Sequence, residues 1–220
     1  MLENINWGDV ILQVAVLALA ISAHESAHAY MADRCGDSTA RKMGRISFNP
    51  LVHVDLFGTV LLPAFLSLSG APFLVGWARP VPVNPGNLRN PARDKAWISA
   101  AGPAANFLLV LVGMVVYVAF FPFVIEVEGL SELITFNTVI NSLLGVFNLL
   151  PVPPLDGGSI AEYFLPRSER RWFRENRFIV FMFFILLWVT RILPQFLHLF
   201  LGAIQRLQNG LALFIWSPPL

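Results

Sequence analysis

From Val10 to Met31 the chain is apolar over about the 20 residues a helix needs to cross a bilayer, yet this run contains His24, Glu25 and His28. Ionisable groups inside a membrane helix are costly and persist mainly where they act. His24 and His28 are four residues apart, so a helix sets both imidazoles on one face, where they can grip one metal ion. Glu25 stands beside them in AHESAHAY, placed to polarise a water on that metal. This is the HExxH pattern of zinc hydrolases, with two histidine ligands and a glutamate base. The bare pattern arises by chance in many proteins. Its position in an apolar helix favours a metal site over a buried polar cluster that merely joins helices.

The whole chain shares the apolar character of this segment. Of its 220 residues, 56% are hydrophobic and 13% charged, with a mean hydropathy of +0.64. A soluble domain carries about 25% charge, and a chain of this size could not hide so much apolar surface from water. Lipid is therefore its solvent. Disorder and a nucleic-acid arm are excluded, and a net charge of +1 gives no field for a polyanionic partner. The single cysteine, Cys35, permits no internal disulfide. Glu3 and Asp9, with no Lys or Arg before them, do not read as a removable signal peptide.

Further apolar stretches cover 56–77, 96–124, 133–150, 178–189 and 193–216. The fold expected is an all-α polytopic membrane protein of five to six membrane segments, with a short β element near 41–50. One domain, 1–220, is expected, with a catalytic core at about 8–160 and C-terminal membrane segments at 178–216. Arg and Lys concentrate at 34–45, 79–95 and 167–177, whereas the loop with Glu126, Glu128 and Glu132 is purely acidic. The positive-inside rule then places the three basic regions in the cytoplasm. Both flanks of 56–77 fall on that side, so the segment is expected to be a re-entrant hairpin bending near Gly70–Pro72, with its irregular backbone shielded by protein.

A catalytic zinc usually takes three protein ligands and leaves one position open. Candidates for the third are His53, Asp55, His198 and Asp156. Asp156 is the most informative, because in NLLPVPPLDGG the prolines prevent a regular helix while Gly157 and Gly158 permit a tight turn. His28 lies about 7–8 Å inside the cytoplasmic end of its helix at 1.5 Å per residue. Asp156 can meet it only if 56–77 does not span. Loop charge and ligand set thus require the same hairpin.

HESAH at 24–28, AGPAANF at 101–107 and NLLPVPPLDGG at 148–158 together resemble the site-2 protease family of intramembrane zinc metalloproteases, in a minimal form. The stretches FNPLVHVDLFGTVLLP and GWARPVPVNP are also similar to compact members, so the resemblance covers most of residues 20–160. It implies one Zn2+ per chain held by His24, His28 and Asp156, with Glu25 as catalytic base. It further implies a transmembrane protein substrate, a multi-pass prokaryotic cell-membrane location and an active site toward the cytoplasm. Neither extramembrane regulatory domains nor a helix before the HExxH helix are expected.

Three further residues are candidates for support. Asn148 either hydrogen-bonds a ligand or substrate carbonyl, or caps carbonyls freed by Pro151. Asn106 either donates to a developing oxyanion or bonds across helices beside Gly102 and Ala105, the second weighing more. His53 either reaches the open face of the metal or is an ordinary interface histidine. The competing function class is a zinc-binding membrane transporter or non-catalytic scaffold, which would need ligands on several helices along a path through the membrane.

Overall fold

The computed structural model describes residues 7–69, 77–127 and 129–216. The first helix, α1 (Trp7–Arg34), ends in a short polar region holding α2 (Thr39–Lys42) and α3 (Pro50–His53). A π-helical turn at Leu56–Leu61 continues into α4 (Leu62–Leu68). After an extended stretch and a 3-10 turn at Pro85–Asn87 comes α5 (Pro91–Ala119). The remainder is α6 (Phe121–Glu126), α7 (Leu130–Leu149), α8 (Asp156–Phe164), α9 (Arg167–Glu175), α10 (Arg177–Val189) and α11 (Ile192–Trp216).

Local chemistry sets the boundaries of α5. Asn90 caps it by accepting from Arg93 N, and Pro91 sits at the first turn, where no N–H is needed. At the other end the helix stops at Ala119, and the separate turn α6 begins with Pro122 in its first turn. The expected span 96–124 is therefore broken at Phe120.

Three helices are long and apolar enough to cross a membrane: Val10–Arg34, Pro91–Ala119 and Leu130–Leu149. The pair α10 and α11 makes a fourth only if its 66° bend lies within a single span. The expected five to six segments are thus too many. At 13 residues α10 is only about 20 Å long, and Arg191, at φ 63°, turns the chain before α11. The apolar helix Leu56–Leu66 is also too short to cross.

The two ends of the segment expected to form a hairpin, 56–77, are joined by hydrogen bonds. Trp77 N donates to Gly58 O at 3.2 Å, and Thr59 Oγ1 donates to Trp77 O at 2.8 Å. Gly58 and Trp77 thus lie side by side. The bend expected near Gly70–Pro72 lies outside the described residues.

The short β element near 41–50 is not present; no strand occurs among the described residues. Arg45 N bonds back to Ala40 O and closes a turn through Gly44, at φ 70°. The buried Arg45 guanidinium donates to Val52 O at 2.7 Å. These bonds fold the segment onto its own loop and leave it no strand to pair with.

The central helix α5 packs against α1, α7 and α8. The interior of this bundle is unusually polar, with Ser22, His24, Ser26, Asn106, Thr138, Asn141 and Ser142 buried. Leu108, Leu111, Val112 and Val115 of α5 face outward, as do Phe178, Ile179, Phe183 and Leu186 of α10. In lipid, apolar surface gains nothing by clustering, so close contacts between helices fall to small and hydrogen-bonding residues.

Candidate metal centre

His24 and His28 lie one turn apart in α1 and meet Asp156 at the first residue of α8. One ligand atom from each falls within 4.8 Å of the others. His24 Nε2 and His28 Nε2 are 2.9 Å apart, and Asp156 Oδ2 is 3.2 and 3.3 Å from them. A tetrahedral ion with bonds of about 2.0–2.1 Å would hold its ligand atoms about 3.3–3.4 Å apart. This triangle is close to that size. The three side chains are 10%, 12% and 17% exposed.

The opposite ring nitrogens decide what this triangle can hold. His24 Nδ1 is 2.7 Å from Asn106 Oδ1, and His28 Nδ1 is 2.6 Å from Ile98 O. Both partners are oxygen acceptors, so both Nδ1 atoms carry the proton and both Nε2 atoms present lone pairs. Two lone pairs and a carboxylate oxygen about 3 Å apart repel unless a cation lies among them. The donor set therefore fits a divalent metal, with second oxygens fixing each imidazole as metal-site histidines require.

The Asn106 contact belongs to a longer chain. Asn106 Nδ2 donates to Asn141 Oδ1 at 2.9 Å, and Asn141 Nδ2 donates to Asn137 O and Oδ1, each at 3.0 Å. With both amide hydrogens committed, Asn106 has its oxygen turned to His24. Asn106 and Asn141 are fully buried. Sequence reasoning had Asn106 as an oxyanion donor or a bond across helices, and the bond is what forms, with His24 at its end. It missed Asn141. The available signal was three asparagines, 137, 141 and 148, at helical spacing within one apolar run.

Backbone economy brings the ligands together. A Cβ on Gly102 would lie 2.5–2.6 Å from His24 and His28 ring atoms, so α5 touches the imidazoles only because residue 102 has no side chain. Pro103 lacks the N–H that would bind Ser99 O, and Ser99 lines the cleft in front of the site. A Cβ on Gly157 would collide with the carbonyl oxygens of Leu149 and Leu150, so the turn presenting Asp156 can fold only with glycine there.

A cleft of about 320 Å³ opens in front of the triangle, lined by Glu25, Pro80, Val81, Ile98 and Asn148 among others. Glu25 Oε2 accepts from Val81 N at 3.3 Å. Asn148 faces this cleft while its Nδ2 donates to Leu144 O at 3.0 Å. The other candidate ligands lie elsewhere. Asp55 caps the π-helical turn by accepting from Phe57 N and Gly58 N, and His198 is exposed on α11. His53 is fully buried, with Nε2 bonded to Ser47 O at 2.9 Å, and does not line the cleft. Its transition-state role is not supported by this placement. His24, His28 and Asp156 are the one group of three or more His, Cys, Asp or Glu side chains so gathered among the described residues.

A helical membrane bundle with a histidine pair, a carboxylate and a neighbouring glutamate in one cleft defines a class, the membrane-embedded metallohydrolases. The sequence model of Peptidase family M50 matches residues 12–127 and 124–190, and the chain belongs to that family. It is 37% identical over 182 residues to "Putative zinc metalloprotease YwhC" of Bacillus subtilis (strain 168), covering 80% of each chain. It is 30% identical over 164 residues to "Putative zinc metalloprotease Rip2" of Mycolicibacterium smegmatis, covering 74% of this chain and 61% of that one. No solved structure matches the chain.

Proposed function

We propose that this protein is an intramembrane zinc metalloprotease that hydrolyses peptide bonds within or near transmembrane segments of membrane-protein substrates. Membership of Peptidase family M50 supports the peptidase activity. The observation that carries the site assignment is the meeting of His24, His28 and Asp156, with Glu25 in the same cleft. His24, His28 and Asp156 hold one zinc per chain. Bound there, zinc supplies Lewis-acid polarisation of the scissile carbonyl and acidifies water.

Glu25 is the general base of the HExxH type, taking the proton of the attacking water and returning it to the leaving amine. Asn106 and Ile98 O orient the two imidazoles through Nδ1. Asn148 faces the same cleft, where the amide hydrogen not donated to Leu144 O would serve a substrate carbonyl. The lipid-facing helices keep bulk water from the bundle, and the cleft supplies the route by which water enters. By the positive-inside rule the cleft opens toward the cytoplasm, in a multi-pass protein of the cell membrane.

The test is reconstitution in lipid vesicles with a cleavable transmembrane substrate. Glu25→Gln is expected to abolish cleavage while retaining zinc, and Asp156→Ala to lose zinc. Cleavage that survives Glu25→Gln excludes Glu25 as the base.

A further inference from the structure

The stretch Trp77–Asn84 borders the cleft through Pro80, Val81 and Val83, and it is tied down at alternate residues from Trp77 to Val81 and again at Asn84. Trp77 N donates to Gly58 O, Arg79 N to His53 O at 2.9 Å, and Val81 N to Glu25 Oε2 at 3.3 Å. Asn84 N then donates to Asp37 Oδ2 at 2.6 Å. The Arg45 guanidinium lies 3.4 Å from Arg79 O, adding a hold from the other side. This two-residue period is that of extended chain, in which N–H groups of alternate residues point the same way. The registry is unforgiving, because a slip by one residue would aim a proline nitrogen at Glu25.

Val81 is flanked by Pro80 and Pro82, neither of which has an N–H. Residues 80–82 therefore offer a single main-chain donor, and it is spent on Glu25. Val81 N is the one donor to the Glu25 side chain among the described residues. A glutamate has three side-chain torsions, so an unrestrained carboxylate would sample many positions relative to the water it must deprotonate.

We propose that the Val81 main-chain N–H is the positioning group for Glu25, and that the flanking prolines leave it as the single main-chain donor of residues 80–82. The proposal rests on the reading of Glu25 as general base. His53 and Arg45 serve it indirectly, by fixing Arg79 two residues away. One Glu25 oxygen is held by the amide, leaving the other free to take the water proton.

The kinetic test uses the full chain in lipid vesicles, with bound zinc measured by metal analysis. Val81→Pro removes the N–H where both neighbours are already proline, and a main-chain ester at Val81 removes it without altering the side chain. Both are expected to keep the zinc content and a KM within about 3-fold, while kcat falls about 10–100-fold, the scale of a misplaced catalytic group. Val81→Ala keeps the donor and should restore most of kcat. In metal-free protein, Glu25→Ala should speed hydrogen exchange of the Val81 amide about 10-fold or more. Unchanged exchange, unchanged kcat in the ester variant, or a loss of kcat shared equally by Val81→Ala would overturn the proposal. Glu25→Gln separates the two readings. If it is inactive while the ester variant is fully active, the base stands and the Val81 assignment alone fails; if it still cleaves, the base assignment itself fails.

Discussion

Asn106 Oδ1 lies 2.7 Å from His24 Nδ1, so a residue of the central helix determines which nitrogen of His24 is left with a lone pair. The same side chain donates to Asn141 Oδ1 and, at 3.3 Å, to Ala20 O. Three helices are joined at one amide, and the metal-facing tautomer is set there.

Asn106→Leu removes the acceptor for His24 and leaves the buried Asn141 oxygen without its donor. Losing one partner of a buried hydrogen bond costs about 1–3 kcal/mol, and loss of such an outer ligand contact weakens metal binding about 10–100-fold. Zinc competition against a chelator in detergent should show that weakening. Affinity equal to that of the unsubstituted protein would mean that Asn106 serves the helix contact alone.

Gly102→Ala is expected to be more damaging than its single methyl suggests. The new Cβ would stand 2.5–2.6 Å from both imidazoles, so α1 and α5 must separate or the rings must turn. Overpacking of this kind costs about 1–3 kcal/mol. Zinc stoichiometry should fall in step with a lower melting temperature. The same change at Gly210, where nothing lies near the added Cβ, should leave zinc binding intact.

Gly157→Ala tests the turn that presents Asp156. Its Cβ would press on the main-chain oxygens of Leu149 and Leu150, which cannot rotate away as a side chain can. The expected result is a folded bundle with α1, α5 and α7 intact by circular dichroism, but with zinc affinity at least about 10-fold weaker. A variant that binds zinc normally would show that the Asp156 turn can be rebuilt.

The loop over the cleft should be acid-sensitive through Asp37. Burial acts to raise its carboxyl, but hydrogen bonds from the side chains of Asn87 and Thr39 and from the amides of Asn84 and Thr39 outweigh it and hold it at about 2. The folded-state value lies below the unfolded one, so the stabilisation is present above about pH 4 and is lost as pH falls toward the folded value. It amounts to about 2 kcal/mol for this fully buried group. Thermal unfolding in detergent should show the unsubstituted protein losing stability across that window. Asp37→Asn should already be less stable at neutral pH and change less on acidification.

The three main spans were legible in the sequence, because a bilayer demands long apolar runs and α1, α5 and α7 supply them. The failures came where apolar composition outran length. Residues 178–216 are apolar enough for two crossings, but α10 is short and the turn at Arg191 bends the pair, which hydropathy cannot register. Arg41–Asn49 reads as a strand in isolation, and only the folded chain reveals that no partner is available. The hairpin over 56–77 was reached from loop charge and ligand arithmetic, and the Gly58–Trp77 contact accords with it.

The His24–His28 pair is legible in the sequence alone, since a single helix fixes their common face at four-residue spacing, and Glu25 follows His24 directly. The third candidate ligand needed an argument across 128 residues of chain, from His28 to Asp156, and the sequence could offer it only among competing candidates. Tertiary structure decided which of them arrives, because His53, Asp55 and His198 have their own local surroundings and Asp156 is turned inward by a glycine turn. It also decided what acts through the main chain: Ile98 O on His28 and Val81 N on Glu25. Main-chain groups are the same at every position, so a sequence does not distinguish them. Only the packing of α5 and the course of residues 77–84 give these particular ones a part in the site.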